Sequence, residues 1–495
     1  MTESAFAQIP SPALSGPLLP SVIQGGMGVA ISGWELARAV SRTGQLGVVS
    51  GTALEIVCAR RLQLGDPGGH VRRALAHFPV PRVAEWILAA YFVEGGKPEA
   101  DLFKAVPRFT LQPADRLQEL TVAANFVEVW LAKEGHDGPV GINYLRKIEL
   151  PLIFGCYGAM LAGVDYVLMG AGNPGELPEL LRALERQDDV SLSVRVQGSR
   201  STDGDTAVHF SPLGLLGPLP APRRPQALAI IASLDLAAGL AGSPAACPDG
   251  FIIEGPSAGG HNAPPRGPRR TDEAGQPIYD ERDAVDPRDV VALGLPVWLA
   301  GSYGTPEGLR RARAVGAAGV QVGTAFALCE ESGLAPDLKQ RVLAQALAGD
   351  LEVLSDWRLS PTGFPFRVLQ MAGTLSDPET YAARQPVCDL GALRSAFVKE
   401  DGSIGYRCPA EPADAYTRIK GGREQNMEGR RCLCNALMAS AGLPQTRPNG
   451  YVEPPLVTAG SDFSGVVHLA QGWEPGAASY SASAVVDYLL AGRVG

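Results

Sequence analysis

A short apolar strand followed by an alanine- and leucine-rich helix, repeated along most of the chain, constrains this fold more than any other feature. Strands that recur with helices between them run parallel, because each helix carries the chain back to the starting edge of the sheet. The apolar runs predict strands at 20–24, 46–50, 139–143, 164–169, 227–232, 250–254, 296–300 and 319–323. Helical patterning is clearest at 33–43, 153–163, 175–186 and 305–316. In the last of these, Pro306 and Glu307 suit a first turn, where a missing N–H is harmless and a negative charge meets the helix dipole. Eight such units fit a (β/α)8 TIM barrel at least as well as an open doubly wound sheet.

Three stretches interrupt the repeat. Residues 52–137 are too long for one crossover, and amphipathic runs at 82–92 and 114–134 predict a helical insertion. Residues 190–212 read as a hairpin around Ser201-Thr-Asp-Gly204. Residues 262–287 are rich in Pro, Arg and Asp and read as a long loop. The repeat ends near 350. The expected layout is therefore a barrel over 1–350 carrying these insertions, with an irregular, Gly/Pro-rich C-terminal extension over 351–495 packed on it. Within the extension, 451–458 reads as an extended segment over the barrel and 478–492 as a closing helix.

Composition narrows the partners. A hydrophobic share of 45% over 495 residues supplies a sizeable core, and a net charge of −9 argues against a nucleic-acid surface. No apolar run reaches the roughly 18 residues of a membrane span. Residues 1–20 lack a basic, then apolar, leader pattern, so the expectation is a cytoplasmic protein with no membrane association. Its eight cysteines then read as thiols or ligands rather than disulfides.

A barrel of this kind binds its ligand at the carboxyl ends of its strands. The telling residues fall at such ends. Ala258-Gly-Gly-His261 closes the strand Gly250-Phe-Ile-Ile-Glu254 and sets a histidine on a loose turn, suited to proton transfer; the plainer alternative is a satisfied loop histidine. Glu254 is placed to orient that histidine, to bind substrate, or to stand as a solvated carboxylate. Gln24-Gly-Gly-Met-Gly28 leaves the first strand with little side-chain bulk, letting a planar ring reach the backbone beside the Met27 thioether. Asn143 ends the third strand either as a polar contact to such a ring or as a turn former. Gly301 and Ser302 after the seventh strand, with Gly323 and Thr324 after the eighth, offer N–H groups and hydroxyls as a cup for a phosphate monoester. Singly each is an ordinary turn, and the pairing of strands seven and eight favours the cup. Arg266, Arg269 and Arg270 read first as a solvated loop and second as a site for an anion.

These pieces, in this order over residues 20–330, resemble the nitronate monooxygenases, formerly called 2-nitropropane dioxygenases. The resemblance implies a flavoprotein TIM barrel with FMN bound non-covalently. The FMN phosphate would lie on Gly301, Ser302, Gly323 and Thr324, and its ring beside Gly26, Met27 and Asn143, with Gly28 and Gly260 among its contacts. His261 would be the catalytic residue, as a base toward nitroalkanes or a hydrogen-bond donor to the nitro group. The implied reaction is oxidation of alkyl nitronates with O2 to carbonyl compounds and nitrite. The same motifs are shared by flavin-dependent enoyl-acyl carrier protein reductases, which imply instead NAD(P)H, an enoyl thioester and an acyl carrier protein as partner. A third reading is a redox-silent flavin-binding component of a larger assembly. Ser302 departs from the family's second glycine, and Asn262-Ala-Pro-Pro-Arg266 from its short small-residue sequence, which puts the substrate rather than the cofactor in question.

Cys388, Cys408, Cys432 and Cys434 crowd into the last third of the chain. Four thiolates can close a tetrahedral zinc site, but two CxxC knuckles are absent, and separate thiols are the favoured reading.

Overall fold

The computed structural model describes residues 19–199 and 206–491. Its centre is an eight-stranded parallel sheet: β1 (Val22–Gln24), β2 (Gly47–Ser50), β3 (Val140–Leu145), β4 (Tyr166–Gly170), β5 (Gln226–Ile231), β6 (Gly250–Glu254), β7 (Val297–Ala300) and β8 (Gly319–Val322). Each strand pairs with the next in sequence, and β8 returns to β1 with Val22 opposite Val320. The last seam closes through a parallel bridge between Ile23 and Leu46, where Gln24 N donates to Leu46 O at 2.9 Å and Leu46 N to Val22 O at 3.1 Å. The sheet is thus the expected TIM barrel, and no edge is left open.

Alternation along each strand divides the core into two layers. Ile23, Leu46, Val48, Leu168, Leu228, Ile252 and Trp298 point inward and fill the barrel. Their strand neighbours, such as Val22, Phe251, Val297 and Val320, point outward against the helices. Trp298 spans the interior and donates its indole N–H to Pro20 O at 2.8 Å. It needs the bare backbone of Gly250 beside it, where a Cβ would stand 3.0 Å from both Trp298 and Leu228.

The stretch between β2 and β3 holds four α-helices, Leu54–Gln63, His70–Leu75, Pro81–Tyr91 and Asp115–Lys133. The last packs against Trp34–Ser41 and Leu152–Leu161, so it is the barrel's own crossover, and the first three form the addition. The arms of the hairpin, Val190–Ser193 and Ala207–Phe210, pair antiparallel, while its turn at Ser201–Gly204 lies outside the described residues. The helix Pro306–Ala314 starts at the expected proline, with the Thr305 side chain accepting from Gly308 N at 3.0 Å.

Past residue 350 the chain turns back over the carboxyl ends of the strands. The hairpin Val353–Asp356/Phe366–Leu369 takes up Gly260–His261 as a third antiparallel strand, with His261 opposite Phe366. Residues 455–461 cross the barrel mouth: Leu369 N donates to Val457 O at 3.0 Å and Ser461 N to Ser257 O at 3.1 Å. The final helix, Ala482–Leu490, packs between Trp34–Ser41 and Pro306–Ala314, filling the gap in the helix ring after β8. Among the described residues no helix is long and apolar enough to cross a membrane.

Candidate functional site

At the carboxyl ends of the strands lies a cavity of about 500 Å3, floored by the barrel and roofed by residues of the C-terminal stretch. Gly26, Met27, Gly28, Asn143, Gly260, His261, Gly301, Ser302, Gly323 and Thr324, which the sequence singles out separately, all line it.

The β1 loop is shaped by two polar side chains that sequence reasoning assigned no role. Gln24 is fully buried; its amide nitrogen donates to Ser32 Oγ at 2.8 Å and its oxygen accepts from Val48 N at 2.8 Å. Ser32 Oγ in turn donates to Gly25 O and accepts from Met27 N, both at 2.8 Å. These bonds satisfy the turn's backbone groups from beneath and leave its open face to the cavity. Gly26 is required for a close approach: a Cβ there would fall 2.3 Å from Asn143 Cβ, so the bare glycine is what lets Asn143 sit against the loop.

On the opposite wall Gly301 and Ser302 both take left-handed backbone angles, φ +87° and +60°, a conformation that costs a serine energy unless its surroundings hold it. Ser302 Oγ donates to Ser257 Oγ at 2.9 Å, tying the β7 loop to the β6 loop. Thr324 Oγ1 accepts from Gly460 N at 2.9 Å, so the extension is pinned to the end of β8.

His261 stands where the β6 loop meets the roof. Its Nε2 lies 2.6 Å from Ser360 Oγ and 3.4 Å from Thr362 Oγ1, and its ring packs edge-on to Phe366 with centroids 4.5 Å apart. Burial, assisted by the Lys147 ammonium, pushes its pKa well below the ordinary histidine value. Glu254 and Lys147 complete a charged cluster. Burial raises the Glu254 carboxyl to about 7, against the pull of Lys147 and an Asn262 hydrogen bond. Burial lowers the Lys147 amine to about 7, with Glu254 acting in the opposite sense. Lys147 Nζ has no hydrogen-bond partner among the described residues and lies 4.9 Å over the Phe364 ring.

Lys147, Ser360, Thr362, Phe364 and Phe366 escaped the sequence reading. Lys147 follows Asn143 by four residues and carried a weak signal as a charge just past a barrel strand. The others had none, because nothing local tells that residues 360–366 return to His261.

The arginine loop is largely engaged with itself. Arg270 pairs with Asp280, Arg269 stacks 4.5 Å over Trp357, and Arg266 donates to the carbonyls of Arg282 and Ala232. All eight cysteines are free thiols. Cys408 and Cys432 are buried together with Cys434 against them, and burial raises the Cys408 and Cys434 thiols to about 12. Among the described residues no group of three or more His, Cys, Asp or Glu side chains is arranged to hold a metal ion.

A probable nitronate monooxygenase of Bacillus subtilis is 35% identical over 98 residues, 19% of this chain, and the match spans about a quarter (26%) of that relative's length. Among solved structures, FabK from Thermotoga maritima aligns over 96% of this chain and 93% of its own at 16% identity, with a TM-score of 0.46. Nitroalkane oxidase from Streptomyces ansochromogenes aligns over 96% of both chains at 16% identity and a TM-score of 0.44. Residues 227–389, the stretch that carries His261, Ser302, Thr324 and the roof hairpin, match the model of the nitronate monooxygenase family.

Proposed function

We propose that this protein is a flavin-dependent oxidoreductase that binds FMN in the barrel mouth and oxidises alkyl nitronates with O2 to carbonyl compounds and nitrite. The residues present fit the cofactor. Gly25, Gly26 and Gly323 leave a face without side chains for a planar ring, and Asn143 offers an amide beside it. The loops at 301–302 and 323–324 offer N–H groups and two hydroxyls for a phosphate. When bound, FMN would supply the electron transfer that no side chain of this chain can perform.

The observation that carries the choice of substrate is the state of His261. An imidazole pushed well below its usual pKa is neutral at physiological pH and a weak base. It is poorly suited to pull a proton from a neutral nitroalkane and well suited to hydrogen-bond a substrate that arrives already deprotonated, as a nitronate does. Ser360 Oγ fixes the ring from the roof side. The Phe366 contact and the roof over the cavity would limit the access of water to a bound substrate. The eight free thiols support a cytoplasmic setting.

A second reading draws on Leu390, Leu393, Leu433 and Leu437, which give the cavity an apolar wall suited to an acyl chain. That wall supports NAD(P)H- and FMN-dependent reduction of an enoyl thioester, with an acyl carrier protein as donor of the substrate. The visible spectrum of the purified protein under anaerobic conditions separates the two. Bleaching on addition of an alkyl nitronate is the expected result. Flavin that stays oxidised with nitronate but bleaches with NAD(P)H would replace the first reading by the second. Flavin unmoved by either would leave only a redox-silent binding role.

A further inference from the structure

The buried amine of Lys147 has no place in the functions drawn so far. Its Nζ is shielded from solvent and makes no hydrogen bond within the described residues, although it carries three donors. Among the described residues no carboxylate lies within ion-pair distance; Glu254 is the charge that acts on it, from farther away. A lysine left this way is costly, and burial of the amine is what depresses its pKa to about 7. Yet it lines the ligand cavity, held over the face of Phe364, two residues from Thr362 and close enough to His261 to act on its charge. A buried donor set without a protein partner, on a side chain that lines the cavity beside a neutral imidazole, is the arrangement of an anion site awaiting its anion.

We infer that Lys147 is the substrate-selecting residue of this cavity, holding a small organic monoanion whose two oxygens share one charge and whose apolar tail lies along Leu390 and Leu393. The inference deepens the nitronate reading, on which it rests for the identity of the natural anion. A nitronate carries its charge over two oxygens on one nitrogen, and a carboxylate has the same shape. Lys147 therefore binds both, while an uncharged analogue of equal size lacks the charge that the amine meets. The neighbouring Glu254 sets the limit: a dianion would meet its carboxylate, so a single negative charge is favoured.

The test is calorimetric titration of the flavin-loaded protein with hexanoate and, separately, hexanamide, repeated on Lys147→Met. Methionine keeps an unbranched, buried side chain of nearly the same length and removes the charge with its three donors, and hexanamide reports that the pocket is intact. Wild type is expected to bind hexanoate at least tenfold tighter than hexanamide. Lys147→Met is expected to lose that preference through hexanoate alone. Equal affinity of wild type for the two ligands, or an unchanged preference in Lys147→Met, would overturn the inference. Should Lys147→Met disturb the fold, equal wild-type affinities still overturn it and a tenfold preference still supports it. The anaerobic nitronate spectrum separates the two ideas. Flavin bleached by nitronate with no carboxylate preference refutes the role of Lys147 and keeps the function, whereas a strong preference without bleaching keeps the anion site and refutes nitronate oxidation.

Discussion

Replacing Glu254 with glutamine removes a carboxylate that the fold holds under protest. In the folded chain its pKa stands at about 7 against an ordinary value of 4.5, and desolvation by burial is the largest cause. The folded state therefore binds a proton more tightly than the unfolded chain between pH 4.5 and 7, and the stability contributed by that proton is lost as pH rises through this window. At about 1.4 kcal/mol per pKa unit, the wild type is destabilised by about 3 kcal/mol above pH 7, and by roughly half of that where solvent in the cavity screens the charge. The glutamine variant carries no such penalty. Loss of the counter-charge also lowers the Lys147 amine further, so that less of it is charged just below pH 7, which widens the gap in the same direction. The stability of Glu254→Gln minus that of wild type should thus climb between pH 5 and 7 and then level off. Urea denaturation of the flavin-free proteins at pH 5, 6, 7 and 8 reads the difference directly. A difference that stays flat across the series would refute the reasoning, since it would mean that Glu254 titrates alike in both states.

Two further substitutions probe the walls of the cavity. Gly26→Ala drives a methyl group into Asn143 Cβ, a contact of 2.3 Å that no rotamer relieves, so the β1 loop must shift; the variant should purify with most of its flavin lost, as read from the ratio of visible flavin absorbance to protein absorbance. Ser360→Ala takes away the 2.6 Å partner of His261 Nε2 and leaves only the longer Thr362 contact; a net loss of about 1 kcal/mol should appear as a roughly fivefold rise in KM for nitronate, with flavin content unchanged by the same absorbance ratio.

The barrel was legible because its signals are local. Each strand of three to six residues is an apolar run bounded by turn formers, and every one of the eight falls within two residues of its predicted limits. The residues at the strand ends were legible for a related reason: in this architecture position along a strand alone decides which face of the molecule a residue reaches. Gly26, Asn143, His261, Ser302 and Thr324 lie up to 298 positions apart, and closure of the sheet is enough to bring them to one cavity.

The roof was illegible because its partners are set by chain return rather than by period. Ser360 reaches His261 only because Phe366 pairs with it across an antiparallel register, and a strand of two residues, Gly260–His261, leaves no alternation to read. Lys147 shows the same limit from the other side. In the sequence it is one cation beside Arg146, which the fold commits to Glu149 and Glu176. The roof residue Phe364 folds over Lys147, whose amine is out of solvent, so a surface-like charge in the sequence is a buried one in the fold. On the proposed function, then, the barrel would supply a general flavin site and the extension would convert it into a specific one. Specificity here should follow changes in residues 360–366 and 390–437 more closely than changes in the strands themselves.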